Sequence, residues 1–251
     1  MASSDTTVVS TTSNSDVNGN LQLVQRDVEE TRKTSPDAQE TKATVYIWDG
    51  SGGLTASLQT EELQTNNADH SVEVKKTTLL PDGNGNWEVS EVKENTIKED
   101  GKNRTNEERV SHPNSEGGLS EVLRSLGEET ETASGETTST IETYSTDIAG
   151  VASDGNLHLN QRVTTVLKKN SDEEMTEQQV ELPDPNSPNT SRQAIAKTKY
   201  TVQYASSGTR RTKTVQTRDI NGDFNVVSVE TQKSDQGPAE QVQQQTSQKP
   251  Q

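Results

Sequence analysis

Hydrophobic residues in this chain recur at a nearly constant interval, each just after a short glycine-containing turn. A typical stretch is Asp82-Gly83-Asn84-Gly85-Asn86, which is followed by Trp87 and then by alternating residues. The same form places apolar residues at 21, 54, 87, 119, 157 and 224, with steps of 33, 33, 32, 38 and 67. A fixed period of this size is typical of a repeat architecture. We expect these apolar residues to form a structural spine: Leu21, Leu54, Trp87, Leu119, Leu157 and Phe224.

Each repeat has a second turn near its midpoint, for example at Ser35-Pro36-Asp37 and at Glu99-Asp100-Gly101-Lys102. Proline presets φ and glycine accepts a positive φ, so both are turn signals with a physical basis. Two turns per repeat predict two strands of roughly 10–12 residues, which form a long antiparallel hairpin. Connections this short cannot support parallel crossovers. The sequence therefore predicts an all-β fold, an elongated meander of about 14 strands.

Three segments follow from this period. Residues 1–20 form an N-terminal arm and a first strand, residues 21–235 form the hairpin repeats, and residues 236–251 form a polar, disordered tail. The fourth repeat carries about five extra residues near 147–151, beyond the usual period. Its opening, residues 119–126, has apolar residues at helical spacing, although the phase of the repeat predicts a strand. We favour the strand.

Apolar residues are too few for an ordinary core. Leu, Ile, Val and Phe number 43 of 251, or 17% of the chain. Alternation after the turns, as at Leu54, Ala56 and Leu58, places apolar groups on one face of each strand. Burying one such side chain contributes roughly 1.5–3 kcal/mol, and a cross-strand pair about 0.2–1 kcal/mol. Because ordering the chain costs more, we predict that copies assemble; a disordered acidic chain is the alternative.

The net charge of −16 argues against a nucleic-acid partner, because such binding needs a basic stripe and we expect none in so acidic a chain. The chain has no cysteine, which excludes disulfides and thiolate metal sites. It also has no apolar run of 18 residues, so we expect no transmembrane helix. No signal peptide is visible at the N-terminus, and an extracellular or cell-surface location would require a leader that has been removed.

Candidate chemistry is sparse. The loop from Asp219 to Asp223 together with Glu230 matches several ligand positions of a calcium loop, but Phe224 replaces the required glycine. Turn chemistry explains the loop without a cofactor, and calcium stays a minor alternative. His70, His112 and His158 lie in different repeats, and no catalytic set can be singled out, so we expect no enzymatic activity.

Aromatic residues offer the one binding alternative. Tyr200 and Tyr204 lie four residues apart, which places them on the same strand face. Together with Trp87 they are the candidate platform for a glycan, although packing against a neighbouring strand is the simpler interpretation.

The turns and the segment Val45-Tyr46-Ile47-Trp48-Asp49-Gly50 resemble bacterial hairpin-repeat proteins, among which the Rhs/YD shell proteins are similar in style. A nearer likeness is to uncharacterised, repeat-rich proteins of acidobacterial type. The resemblance extends over most of the chain and is found in short segments such as Val89-Ser90-Glu91-Val92 and Asn225-Val226-Val227-Ser228-Val229. It implies a bacterial surface or extracellular setting.

Repeat phase, thin core and acidic surface together favour a structural protein. We expect it to assemble with copies of itself into an extracellular filament or surface layer through strand pairing. A surface adhesin or carbohydrate-binding module is the alternative, and a disordered acidic protein is the third. The candidate assembly strands are the N-terminal strand and the last half-repeat, with Val8, Val9, Val226, Val227 and Val229.

Substitution of Trp87 tests the spine. Trp87→Ala should destabilise the fold more than any substitution in the glutamate-rich middles of the strands, because Trp87 is the largest spine residue. Urea unfolding of the purified variants measures this difference. A silent Trp87→Ala variant would show that the spine is wrong.

Overall fold

A computed structural model of the protein describes residues 5–132, 134–146, 154–184, 191–205, 207–235 and 244–246. These residues form strands and no helix. The predicted all-β class and the antiparallel meander of about 14 strands are confirmed, with neighbouring strands in chain order. The strands are β1 Thr6–Ser15, β2 Leu21–Ser35, β3 Ala38–Trp48, β4 Leu54–Asn66, β5 Ser71–Pro81, β6 Trp87–Asp100, β7 Asn103–Pro113, β8 Leu119–Glu131, β9 Thr137–Ser145, β10 His158–Lys169, β11 Glu173–Pro183, β12 Arg192–Ala205, β13 Gly208–Arg218, β14 Phe224–Asp235 and β15 Gln244–Thr246.

The chain divides into two units. Unit 1 comprises Met1–Lys98 and Asn106–Arg124, and unit 2 comprises Glu99–Thr105 and Ser125–Gln251. In unit 1, strands β1 to β6 pair successively and antiparallel. In unit 2, strands β9 to β15 do the same. Each hairpin therefore pairs with the next one along the chain within its unit.

The choice between helix and strand at the start of the fourth repeat is settled in favour of the strand, since residues 119–131 form β8. Pairing in the sheet overrides the local helical spacing of the leucines. The extra residues predicted near 147–151 lie outside the described residues. Of the predicted tail, the structure describes 244–246, which pair with β14 as β15.

Five-residue loops that share one backbone hydrogen bond close many of the hairpins. In each, the N–H of the first residue donates to the carbonyl of the fifth, as from Asp82 to Asn86 at 3.0 Å. The fourth residue always has a positive φ, which glycine adopts at little cost. The loops begin at Asp16, Asp49, Asn67, Asp82, Asn114, Thr132 and Asp219.

His70 is the exception among the fourth residues of these loops. Its φ is 65°, and it is the one non-glycine residue with positive φ among the described residues. The loop nevertheless makes two backbone hydrogen bonds. The N–H of Asn67 donates to the Ser71 carbonyl at 2.8 Å, and the N–H of His70 donates to the Asn67 carbonyl at 3.1 Å. The hairpin therefore imposes the conformation on a side chain that disfavours it.

A β-bulge recurs at a fixed distance from these loops. In four hairpins the second strand carries one extra residue eight positions after the first residue of the loop. The extra residue changes which face the following side chains occupy. In one hairpin the hydroxyl of the extra residue, Ser57, donates to the carbonyl of Val45 at 3.2 Å. The four bulge residues are Val24, Ser57, Ser90 and Val227.

Very few of the described side chains are buried. Among the described residues, the buried hydrophobic side chains are Val92 in unit 1 and Val202 in unit 2, each 6% exposed, and the buried polar residue is Ser71. Both faces of the strands carry many Thr, Gln, Glu and Lys residues. Each unit therefore has a thin core, as the composition predicts, and its folded structure depends mainly on strand pairing.

Substitutions at the fourth loop position test the backbone geometry. We expect Gly85→Ala to destabilise the protein by about 1 kcal/mol, because an L-residue disfavours positive φ. A Cβ at Gly85 meets no atom within 4 Å, so steric clash does not contribute. We expect His70→Gly to stabilise by up to about 1 kcal/mol for the same reason. Urea unfolding measures both changes.

Ala68→Gly is the control for His70→Gly, because Ala68 lies in the same loop without a positive φ. It should not stabilise, since glycine there only adds freedom to the unfolded chain. Equal stabilisation by both glycine variants would contradict the assignment of strain to His70.

Candidate functional site

Strand β1 is the first candidate site, because its pairing is one-sided. It pairs with β2 from Thr6 opposite Thr31 to Ser15 opposite Leu21, and no other described strand pairs with it. All ten of its residues are exposed, including Val8 at 54% and Val9 at 49%. The backbone groups on its outer side are therefore open to another strand.

The sequence of β1 lacks the residues that usually protect a sheet edge. Its ten residues, TTVVSTTSNS, include no charged residue and no proline. Natural edge strands are commonly protected by lysine, proline or a covering segment. The neighbouring strand β2 differs, because it carries six charged residues: Arg26, Asp27, Glu29, Glu30, Arg32 and Lys33.

The other predicted assembly strand, β14, is partly occupied. Its residues Val229 to Thr231 pair with β15. Val226, Val227 and Val229 are nevertheless 49%, 43% and 37% exposed. The structure therefore leaves β1 as the more open of the two predicted strands.

The predicted spine residues all follow loops, but they are not equally covered. Leu21 is 76% exposed and Leu119 is 50% exposed, so the expectation of burial is wrong for these two in the single chain. Alternation assigns a side chain to a face but does not supply atoms to cover that face. The other four are half-buried: Leu54, Trp87, Leu157 and Phe224.

The hairpin of β3 and β4 shows what the apolar residues contact. Tyr46 lies opposite Ala56, and Trp48 lies opposite Leu54, so these four share one face. Leu58 lies opposite Val45 on the other face, because the bulge at Ser57 intervenes. The expectation that Leu54, Ala56 and Leu58 share a face is therefore wrong for Leu58.

Tyr200 and Tyr204 lie on one face of β12, as their spacing predicts. Tyr200 is opposite Lys213 and Tyr204 is opposite Thr209 on β13. Tyr204 is 45% exposed, whereas Tyr200 is half-buried. Trp87 belongs to unit 1 and these tyrosines belong to unit 2.

The loop aspartates direct their carboxylates into their own loops. The Oδ1 atom of Asp82 accepts the backbone N–H of Asn84 at 2.7 Å and that of Asn86 at 3.0 Å. Asp219 makes the same two contacts with Asn221 at 2.9 Å and Asp223 at 3.0 Å. The turn explanation of the calcium-like loop thus has a direct structural basis. Asn114 fills the same role in its loop, where no carboxylate is needed.

These contacts favour the charged form of the carboxylates. The hydrogen bond from the Asn86 side chain is the largest cause that lowers the pKa of Asp82 below its usual value. In the loop that contains His70, the Ser71 hydroxyl, the Ser71 N–H and Lys98 lower the pKa of Asp69 to about 2. Folding therefore favours deprotonation at these turns.

The histidines remain apart and make local contacts. His158 Nε2 lies 2.9 Å from Asp154 Oδ1, and His112 Nε2 lies 3.6 Å from Glu91. Among the described residues, no three His, Cys, Asp or Glu side chains are grouped as a metal site would require. In the same part of the chain, no helix has the length and apolar character needed to cross a membrane.

One charged surface was missed from the sequence. Strands β12 and β13 with their connection, residues 192–218, contain seven Lys and Arg residues and no Asp or Glu. We call this segment the basic hairpin. The other 224 residues carry 17 Lys and Arg against 40 Asp and Glu, a net charge of −23. The statement that the chain has no basic stripe is therefore wrong, and counting charges strand by strand would have found it.

The cations of the basic hairpin fall into two groups. Some have partners, since Arg192 lies 3.1 Å from Glu142, Lys199 lies 3.2 Å from Glu177, and Lys197 lies 4.3 Å from the centre of the Phe224 ring. Arg218 also has a partner, because its Nε donates to the carbonyl of Gly222 at 3.2 Å. The remaining cations have no carboxylate within ion-pair distance in the described part of the chain. This second group is exposed and includes one residue of the adjacent strand β14: Arg210, Arg211, Lys213 and Lys233.

Comparison with known proteins identifies no family. No protein-family model and no curated protein matches the chain. A crystal structure of a protein of unknown function from Bacteroides fragilis is similar at 12% identity and a TM-score of 0.32, covering 63% of this chain and 91% of that chain.

The loop carboxylates predict acid sensitivity. A folded-state pKa below the unfolded value stabilises the fold above the unfolded pKa, and this stabilisation is lost as pH falls through the folded pKa. For Asp69 the window runs from its ordinary value of 3.8 down to about 2. We expect the free energy of unfolding to fall across this window, and to fall less steeply in Asp69→Asn. Urea unfolding at several pH values measures the slopes, and parallel curves would contradict the role of Asp69.

Proposed function

We propose that the protein is structural and assembles with copies of itself by strand pairing at β1, forming a filament or surface layer. The observation that supports this most is the outer edge of β1, which is unpaired among the described strands and carries no charged residue or proline. An exposed edge of this kind is a template for a further strand.

Backbone hydrogen bonds would supply the affinity of this contact. A strand added to an edge satisfies the open N–H and C=O groups, while the side chains on either side of the strand provide specificity. Val8 and Val9 lie on opposite faces of β1 and are about half exposed. They would gain apolar contacts on both faces of the extended sheet.

The thin core supports assembly for a second reason. Each unit has a single buried hydrophobic side chain among its described residues. Many exposed hydrophobic side chains therefore remain available for contact with another copy. Assembly would bury part of this surface and add to the stability of each subunit.

A lysine at the edge tests the proposal. We expect Val8→Lys to reduce assembly at least tenfold, because a charged side chain on an edge strand opposes addition of another strand. Leu63→Lys is the matched control, since Leu63 is 44% exposed but lies on β4, which pairs with strands on both sides. Negative-stain electron microscopy and sedimentation velocity measure the assemblies.

Deletion of residues 1–15 provides a second variant. It replaces the uncharged edge of β1 with β2, which is rich in charge, so polymers should disappear while the subunit stays soluble. Unchanged fibres after the deletion, or equal loss in Leu63→Lys and Val8→Lys, would overturn the proposed role of β1.

A further inference from the structure

We infer that the basic hairpin, together with Lys233 of β14, is a docking surface for the acidic surface of a second copy of this chain. The inference rests on the proposed self-assembly and adds a second, electrostatic contact to it. Its basis is the reversal of charge between residues 192–218 and the remainder of the chain.

Unpaired cations are concentrated on this surface. Elsewhere in the described sheet Arg26, Lys33 and Lys76 are also without a carboxylate partner, but they are scattered over β2 and β5. Many other lysines lie close to a carboxylate of a neighbouring strand: Lys42 is 2.9 Å from Glu61, Lys75 is 3.0 Å from Glu94, and Lys93 is 2.7 Å from Glu108. Arg210, Arg211, Lys213 and Lys233 have no such partner within 4 Å among the described residues. Their charges are available to an external anion.

Two of these cations face each other directly. Arg210 lies opposite Lys233 in the ladder of β13 and β14, and Gln203 lies opposite Arg210 on its other side. Glu173 is one strand further away and accepts a hydrogen bond from Gln203 at 3.3 Å. Like charges directly opposite each other are destabilising in a sheet. A carboxylate placed between Arg210 and Lys233 would remove this repulsion.

The other face of the same strand combines charge with apolar groups. Lys213 lies opposite Tyr200 on one side and Glu230 on the other, and Arg211 lies opposite Val202. The exposed ring of Tyr204 is on this face as well. Cations beside an exposed aromatic ring can bind an acidic strand through both its carboxylates and its apolar side chains.

Charge complementarity identifies the occupant as another copy. Outside the basic hairpin, every copy presents a net charge of −23, whereas each whole chain carries −16. Copies that meet at an edge therefore repel one another unless a local contact has the opposite sign. The basic hairpin provides the positive charge for such a contact. A contact of this kind acts within a Debye length, about 8 Å at physiological salt.

Salt dependence of self-association is the first test. We expect association of the intact protein, measured by sedimentation velocity, to weaken at least tenfold between 50 and 500 mM NaCl, because salt screens exposed charges. The variant Arg210→Thr/Arg211→Thr should associate at least tenfold more weakly at low salt and lose most of the salt dependence. Threonine suits an exposed strand, and circular dichroism checks the fold.

The matched control changes the net charge equally at other exposed positions. Lys33→Thr/Arg104→Thr also removes two positive charges, from β2 and β7. It should retain the association and salt dependence of the unmodified protein. Equal effects of the two double variants would show that net charge alone matters, and the inference would fail.

Zero-length cross-linking locates the contact. A carbodiimide joins a lysine amine to a carboxylate with loss of water, and mixing ¹⁵N-labelled with unlabelled protein identifies links between copies. We expect Lys213 and Lys233 to link to Asp or Glu residues of the other copy. Links confined to one chain, or their absence from these lysines, would overturn the inference.

Other outcomes separate this inference from the proposed function. If Val8→Lys abolishes association while Arg210→Thr/Arg211→Thr leaves it and its salt dependence unchanged, β1 assembly stands and the docking surface is wrong. If the protein stays monomeric but binds single-stranded DNA or polygalacturonate through Arg210, the surface belongs to that polyanion and both proposals fail. Absence of any association at 50 mM NaCl also overturns both.

Discussion

The antiparallel backbone ladder is the interaction on which the rest of each unit depends. A net contribution of about 0.5–1.5 kcal/mol per hydrogen bond is small, but it is repeated along every pair of strands. Val92 and Val202 are the buried hydrophobic side chains of the described residues, so no large core supplements the ladder there. Whatever ends or extends the ladder therefore matters: the loops that close the hairpins, the bulges that bend them, and the edge at β1.

Local chemistry made the ladder largely predictable. The sequence from Asp82 to Asn86 contains an acceptor side chain at the first loop position and glycine at the fourth, which are the groups that the loop requires. The strand from Leu119 followed from the period of the repeat and not from its own spacing. The bulges could not be predicted from the bulge residues themselves, because Val24, Ser57, Ser90 and Val227 share no side-chain property. The structure shows instead that each lies eight positions after the first residue of its loop.

The errors in the candidate site arise from properties that no single strand contains. The repeat period correctly placed Leu21 and Leu119 after loops, yet their burial would require covering atoms from elsewhere in the structure. Net charge concealed the basic hairpin, because −16 is the sum of two regions of opposite sign. The positions of Arg210 and Lys233 were visible in the sequence, but their direct opposition depends on the register of β13 and β14.

In the proposed assembly, edge pairing and charge would have different roles. Backbone hydrogen bonds at β1 can form with almost any extended segment, since every residue except proline offers the same two groups. Such an edge gives affinity without choosing a partner. Charged groups are sensitive to the identity of the partner, because like charges repel and opposite charges attract at the same separation. An uncharged β1 combined with unpaired cations on β13 and β14 would therefore allow strong pairing while restricting it to an acidic partner.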